Sequence, residues 1–152
     1  MTLSYEKIFS AARGLYTDPK ELSLSTDDLT EIYTERLNRV VGDVRVENMF
    51  STLEMDDEVQ RMEFVLNHPV SDGVDIRFVV RLLSLGMEIE WLQPHVDSIL
   101  YSDPPFIGSA QEKKILDGHS NMIKRLNSLK LQFNKMIRDH GYVHNSYLEQ
   151  ED

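Results

Sequence analysis

The chain of 152 residues contains no cysteine. Disulfide bonds, thiol nucleophiles and cysteine-ligated zinc or iron–sulfur centres are therefore excluded. No apolar run approaches the roughly 20 residues that a membrane-spanning helix needs. The N-terminus, Met1-Thr2-Leu3-Ser4, lacks the basic and then apolar layout of a signal peptide. We expect a protein that is made and used in the cytoplasm, without a membrane partner.

Glycine is also scarce, and its 7 residues are scattered singly. Glycine-rich phosphate and dinucleotide loops are therefore absent, as are the zinc-protease helix motif and the calcium loop. The acids Asp56-Asp57-Glu58 fit the first turn of a helix better than a cation site, because acids there complement the helix dipole. His119 lies on an apolar stripe, where a hydrogen-bonded histidine is commoner than a metal ligand. No serine is evidently placed to complete a nucleophilic set with Asp139-His140. We predict no catalytic residue, no cofactor and no metal, and so no enzyme.

The net charge of −10 argues against general nucleic-acid binding, which needs a positive surface for phosphates. The charge is unevenly distributed. Residues 1–111 hold 9 basic and 20 acidic side chains, whereas residues 112–140 hold 7 basic and 3 acidic ones. The basic residues of this second segment either cover the solvated back of an amphipathic helix or meet an acidic partner, such as another copy of the chain.

Apolar periodicity predicts helices in the first half of the chain. A first helix runs from Ser4 to Tyr16 and is stopped by Thr17-Asp18-Pro19. A second begins at the cap Ser25-Thr26-Asp27-Asp28, and Gly42 weakens or ends it. Residues 44–46 are either extended or a continuation of this helix. A third helix is predicted from about Asp56, with a stripe of spaced apolar residues and a stop at a proline. The stripe is Met55, Val59, Met62 and Leu66, and the stop is Asn67-His68-Pro69.

The segment from Val74 to Gln93 has two interpretations. Its first residues alternate as in a strand, but its apolar residues also fit a helical repeat that continues to Val96. Length favours a helix, since about 20 residues exceed a typical strand. Such a helix, apolar over much of its surface, should be central and buried. Gly86 weakens it, and Pro94 should kink or end it.

The clearest helix is the last one, predicted from Ser109 to His140. It opens with the capping box Ser109-Ala110-Gln111-Glu112 and should end at Gly141. Its apolar stripe recurs in steps of four and three, and further apolar residues flank it, so the face is wider than a coiled-coil seam. The stripe is Ile115, His119, Met122, Leu126, Leu129, Phe133, Met136 and His140, flanked by Leu116, Ile123 and Ile137. We therefore expect a helix packed against its own domain.

These elements predict an all-α fold. Residues 1–152 form one helical domain, a bundle of about four to five helices with one long C-terminal helix. A short β-hairpin is the alternative for residues 74–93. We expect the tail, residues 141–152, to be flexible and to become ordered on a neighbour.

The C-terminal half resembles a known family. Leu85-Gly86-Met87-Glu88-Ile89-Glu90-Trp91-Leu92-Gln93-Pro94-His95-Val96 is followed by a loop and then by the Glu112-Lys113-Lys114 helix. This Trp-Leu-x-Pro turn and long amphipathic helix resemble small structural proteins of tailed bacteriophages, the head–tail connector or neck proteins. The resemblance covers roughly residues 78–142, and the first 70 residues contribute nothing to it.

The resemblance implies a largely helical, non-enzymatic subunit that joins capsid and tail. It would form a homo-oligomeric ring with portal or tail components, assembled in the host cytoplasm and located in the virion. The candidate interface residues are Trp91, Phe106, Ile107, Lys113, Lys124, Arg125, Lys135, Arg138, Tyr142 and Tyr147. Trp91 is either a core residue or an interface anchor. The alternative function is a small acidic adaptor or regulator that binds protein or DNA through the basic face of the last helix.

Overall fold

The computed structural model describes residues 1–101 and 109–143 and shows a mainly helical protein with a small antiparallel sheet. The described elements are, in order, β1 (Thr2–Ser4), α1 (Tyr5–Leu15), α2 (Pro19–Leu22), α3 (Thr26–Val41), α4 (Val44–Glu47), β2 (Phe50–Asp56), β3 (Arg61–Leu66), α5 (Asp72–Tyr101) and α6 (Ser109–Val143). The all-α prediction therefore holds only for the larger part of the described chain.

The first two predicted helices form where the sequence places them, as α1 and α3, whereas the short helix α2 between them was not predicted. The α1 helix ends at Leu15, and Asp18 then caps α2 by accepting a hydrogen bond from the Lys20 amide. Ser25 caps α3 by accepting from the Asp28 amide, and Gly42 follows the last helical residue. Residues 44–46, which the sequence left undecided, belong to the short helix α4. These confirmed boundaries depend on local capping chemistry.

The third predicted helix is wrong. Residues 50–66 form a hairpin instead, in which β2 pairs with β3 and β1 adds a third strand on the other side of β3. Met62, Phe64 and Leu66 alternate with exposed residues, so every second side chain of β3 enters the core. Burial of every second residue is typical of a strand. The helical prediction counted only Met62 and Leu66 and left out Phe64 between them.

The α5 helix lies at the centre of the fold, which confirms the helical interpretation of residues 74–93. All seven residues from Leu82 to Glu88 are buried, because α1, α3 and α6 each pack against α5. The sequence predicted a kink or an end at Pro94, and the end is wrong, because the helix continues through Pro94 to Tyr101. Since Pro94 has no N–H, the helix loses one backbone hydrogen bond there.

The α6 helix packs against α5 through the predicted stripe. Leu126 and Phe133 are buried, and Met122, Leu129 and Met136 are half-buried. Leu116, predicted to flank the seam, is 53% exposed. The helix runs to Val143, so Gly141 lies inside it and is not its end. The loop predicted before the last helix lies outside the described residues, as do residues 144–152 of the predicted tail. Residues 141–143, which were predicted to belong to the flexible tail, are part of α6.

Candidate functional site

A groove of about 840 Å³ lies on one side of α5, between α1 and α6. Each of the three helices contributes one stripe to its walls, with residues three or four positions apart on a common face. The lining residues are Lys7, Ala11 and Leu15 from α1; Ile76, Arg77, Val80, Arg81, Ser84 and Leu85 from α5; and Gln132, Lys135, Met136 and Asp139 from α6. We call this feature the basic groove.

The floor of the basic groove is apolar. Val80 and Met136 are half-buried there, and Leu85 is buried. Leu15, at one margin, leaves 44% of its surface exposed. Ser84 is buried too, but its hydroxyl donates to the Arg81 carbonyl and is satisfied within its own helix. The floor therefore offers apolar contact to whatever enters.

The rim of the basic groove carries four cations. Lys7, Arg77, Arg81 and Lys135 are all exposed, against a single carboxylate at Asp139. This excess of positive charge stands out in a chain whose net charge is −10. A groove with an apolar floor focuses such a charge excess toward an acidic partner.

The arginines of the groove differ from every other arginine of the chain. Seven of the nine form ion pairs with carboxylates, namely Arg13, Arg36, Arg39, Arg45, Arg61, Arg125 and Arg138. Within the described residues, Arg77 and Arg81 have no carboxylate partner. They also lie four residues apart on α5, a spacing at which like charges destabilise a helix by about 0.2–0.5 kcal/mol. An acidic ligand in the groove would relieve this repulsion.

A second pocket, of about 350 Å³, lies between α3, α5 and α6. Three of its five charged lining residues form ion pairs. Arg45 pairs with Asp43 and also donates to Asn134, and Arg39 pairs with Glu35. The hydrogen bonds from Arg45 lower the pKa of Asp43. This pocket has less unsatisfied charge than the basic groove.

Trp91 contacts its own chain. Its ring stacks on Tyr16 at 4.8 Å between centroids, and its indole N–H donates to Asp18 at 3.1 Å. The Arg125 guanidinium lies 5.7 Å from the ring centroid. These contacts attach the segment between α1 and α2 to α5, and Trp91 is half-buried among them.

Asp18 is the polar centre of that contact. Burial alone would raise the pKa of the Asp18 carboxyl. The hydrogen bonds from Trp91 and the Lys20 amide have the larger combined effect, so the pKa is lowered. His95 lies close by, with Nε2 at 3.6 Å from Asp18 and Nδ1 at 2.7 Å from the Trp91 carbonyl oxygen. The arrangement satisfies a half-buried carboxylate and offers no adjacent nucleophile.

The basic residues predicted to form one face of α6 differ in their contacts. Arg125 bonds Glu88 at 2.6 Å, and that carboxylate is only 5% exposed. Arg138 pairs with its neighbour Asp139. Lys113 and Lys124 are exposed and have no ion pair with a described residue. Among the predicted candidates whose side chains the structure describes, only Lys135 reaches the basic groove.

The aromatic and loop candidates give little further information. Phe106, Ile107 and Tyr147 lie outside the described residues. The backbone at Tyr142 belongs to α6, but its side chain lies outside the described part of the structure. The predicted interface residues at these positions remain predictions.

Sequence reasoning missed three cations of the groove, Lys7, Arg77 and Arg81. A signal was present, since Arg77 and Arg81 interrupt an otherwise apolar segment at a spacing of four. On a central helix, such a pair marks the one side that other elements do not cover. Lys7 gave no comparable signal, because its position depends on how α1 packs against α5.

Among the described residues, no group of three or more histidines, aspartates or glutamates could hold a metal ion. None of the described helices is long and apolar enough to cross a membrane.

No protein-family model matches the chain, and no curated protein or solved structure is significantly similar to it. The basic groove is thus the candidate site on geometry and charge alone.

Proposed function

We propose that this chain is a non-enzymatic structural protein of a tailed bacteriophage virion. In this proposal it is a head–tail connector, or neck, subunit that assembles with itself and with portal or tail components. The observation that carries the proposal is the basic groove, whose two arginines have no carboxylate partner in the part of this acidic chain that the structure describes. The resemblance of residues 78–142 to connector proteins supports the same function.

The basic groove suits a protein segment better than a small substrate. Its cations are long, exposed side chains on the rim, and its floor is aliphatic. In a small-molecule site, by contrast, a few buried polar groups point toward the ligand. Among its described polar side chains, only Ser84 is buried, and its hydroxyl is used within α5. An acidic amphipathic segment would satisfy the rim and cover the floor together.

The frame around the groove also suits assembly. Its walls belong to three helices packed on one core, and α6 alone contains 35 residues. A binding surface built on helices holds its geometry better than one built on loops. A subunit that must join two particles needs such a rigid frame.

The test is genetic and is made in the phage that encodes the chain. Interrupting the gene should leave separate heads and tails, and the wild-type chain supplied from a plasmid should restore joined virions. Arg77→Glu/Arg81→Glu should fold normally by circular dichroism but fail to restore joining. Purified virions should contain the polypeptide, as mass spectrometry can establish.

A matched control removes the same charge elsewhere. Lys113→Glu/Lys124→Glu changes the exposed face of α6 outside the groove and should restore joining. If this variant fails while the groove variant succeeds, the face of α6 is the docking surface. Joined virions without the gene product, or virions that lack the polypeptide, would reject the connector function.

The adaptor alternative depends on the lysines of α6 that have no ion pair. Lys113, Lys114 and Lys124 are exposed, whereas Arg125 is committed to Glu88. If this face binds DNA, a gel shift should appear at low salt and disappear in Lys113→Glu/Lys124→Glu. Arg125 is unsuitable for this experiment, because its replacement would leave the buried Glu88 carboxylate without its partner.

A further inference from the structure

A second surface of the chain is apolar and acidic, and it lies at the junction of α2 and α3. Leu22 ends α2 and is 68% exposed, and Leu24 is 39% exposed in the connection. Asp27, Asp28 and Glu31 follow on the first turns of α3, and all three are exposed. We call these five residues the acidic corner.

The acidic corner has unused binding capacity. Asp27, Asp28 and Glu31 form no ion pair with any described residue. Asp27 and Asp28 also complement the dipole of α3, which explains acids in its first turn. That role does not explain the two exposed leucines beside them. Exposed apolar side chains grouped with unpaired charges are typical of a contact surface.

The acidic corner and the basic groove lie on different sides of α1. Lys7, Ala11 and Leu15 face the groove, whereas Phe9 of the same helix packs against Tyr33 of α3. At about 100° per residue, Phe9 points in roughly the opposite direction to the groove-lining stripe. One chain therefore presents two complementary surfaces that face different neighbours.

We propose that the acidic corner of one copy docks in the basic groove of the next copy. This inference rests on the proposed function, for which it identifies the contact between subunits. The three acids of the corner meet a rim of four cations and one carboxylate. Leu22 and Leu24 cover the apolar floor around Val80 and Met136.

The spacing of the charges supports this pairing. Asp27 and Glu31 lie four residues apart on α3, and Arg77 and Arg81 lie four residues apart on α5. Each pair therefore spans about 6 Å along its helix. Two carboxylates can meet two guanidiniums in register, and charge-assisted hydrogen bonds of this type are the strong ones.

A contact between two different surfaces is heterologous, so it repeats from copy to copy. Such a contact closes into a ring when the rotation between copies divides a full turn, and otherwise it continues as a filament. A ring built in this way leaves the β-sheet free for the portal or the tail.

Two full-length variants test the docking. The groove variant is Arg77→Glu/Arg81→Glu, and the corner variant is Asp27→Lys/Glu31→Lys. In sedimentation velocity the wild type should self-associate as its concentration rises. Each variant alone should associate at least about tenfold more weakly, because like charges then face each other. Circular dichroism confirms that both variants fold.

The decisive measurement is an equimolar mixture of the two variants. The groove variant keeps its acidic corner, which fits the unchanged basic groove of the corner variant. The corner variant has a basic corner, which fits the acidic groove of the groove variant. The mixture should therefore recover the association that each variant lacks. Glu47→Lys/Glu54→Lys, which reverses two exposed acids outside the corner, should behave as the wild type does.

Three results would overturn the inference. A wild type that stays monomeric at all concentrations has no such contact. A groove variant that fails while the corner variant associates normally means that another segment fills the groove. A mixture without recovery means that the two surfaces do not meet each other. If the virion test succeeds in any of these cases, the connector function stands and only the subunit contact is wrong.

Discussion

Asp18 shows how one residue connects three parts of the fold. One carboxylate oxygen caps α2 at the Lys20 amide, and the other accepts from the indole of Trp91 on α5. The stacked Tyr16 ring closes the same contact from α1. The α2–α3 junction, which carries the acidic corner, therefore has its position fixed by this carboxylate.

The lowered pKa of Asp18 predicts a specific pH dependence. Because the folded protein holds the proton less tightly than the unfolded chain, the stabilisation is present above the ordinary pKa and is lost as pH falls through the folded one. Asp18→Asn should lower the free energy of unfolding by about 1–2 kcal/mol at neutral pH. Urea denaturation at several pH values should show the difference shrinking below about pH 4.

An exposed carboxylate serves as the control for this prediction. Glu35 pairs with Arg39 at 3.6 Å, and both side chains are at least 60% exposed. Glu35→Gln should change the free energy of unfolding by no more than about 0.5 kcal/mol. A constant difference between Asp18→Asn and the wild type down to acid pH would show that the charge of Asp18 is not what stabilises the junction.

Residue roles were the hardest feature to predict. The sequence places Arg125 among the lysines of a helix face, yet its partner Glu88 is 37 positions away along the chain. Trp91 was open between core and interface for the same reason. Local pattern gives the face of a helix on which a residue lies, but only tertiary packing gives its partner.

At the scale of elements, the close approach of three helices depends on Gly86. A Cβ atom at this position would lie 2.4 Å from a methyl carbon of Val40 on α3 and 3.2 Å from the Phe133 ring on α6. Glycine is unfavourable inside a helix, so its presence here reflects the space that α3 and α6 need. Both helices can then pack closely on α5 at one level.

Gly86→Ala should therefore destabilise the fold even though alanine is the better helix former. The gain in propensity is about 1 kcal/mol, whereas forcing a methyl group into packed side chains costs about 1–3 kcal/mol. We expect a net loss of up to about 2 kcal/mol in thermal or urea unfolding. The reason is that Val40 is itself buried, at 3% exposure, and has little freedom to move.

Gly118→Ala is the matched control on α6. No described atom lies within 4 Å of its added Cβ, so only the propensity changes. This variant should be as stable as the wild type or more stable, by up to about 1 kcal/mol. If Gly86→Ala is also stabilised, the three helices have room to separate and the close packing is not required.

The elements themselves were predicted unevenly. The boundaries of α1 and α3 followed from caps and a proline, which act within a few residues. The β2–β3 hairpin was read as a helix because acids at 56–58 suggested a helix start. In the structure they lie at the end of β2 and in its turn, where Asp57 accepts from Tyr5. That contact joins residues 52 positions apart and leaves no local trace in the sequence.

At the scale of the whole molecule, positive and negative charges lie on different surfaces. The chain is acidic in total, yet cations without an ion pair to any described residue gather in the basic groove, and acids without one gather in the acidic corner. The sequence already predicted an acidic body with a basic C-terminal segment. It could not place the basic surface, since two cations of the groove lie on α5 and one on α1.

Self-association should therefore depend on salt. Charges at the rim are screened more strongly as the Debye length falls from about 10 Å at 0.1 M to about 3 Å at 1 M. We expect wild-type association to weaken about tenfold over this range. Leu22→Ala should weaken association at every salt concentration without changing the salt dependence, because it removes apolar contact only.

Sedimentation at four salt concentrations measures both quantities. In the separate groove and corner variants the salt dependence should reverse, because salt screens the repulsion between like charges, and the wild-type dependence should return in their mixture. Association that strengthens with salt would instead indicate a mainly apolar contact, and the charged rim would then have another role.

The central position of α5 has a consequence for synthesis of the chain. The apolar sides of α1 and α3 face a helix that begins only at Asp72, so the ribosome makes them well before their packing partner. At about 5–20 residues per second, this delay lasts several seconds. During that interval the nascent segment exposes Ala12, Leu37 and Val40, and a chaperone that shields apolar surface should increase the yield of folded protein.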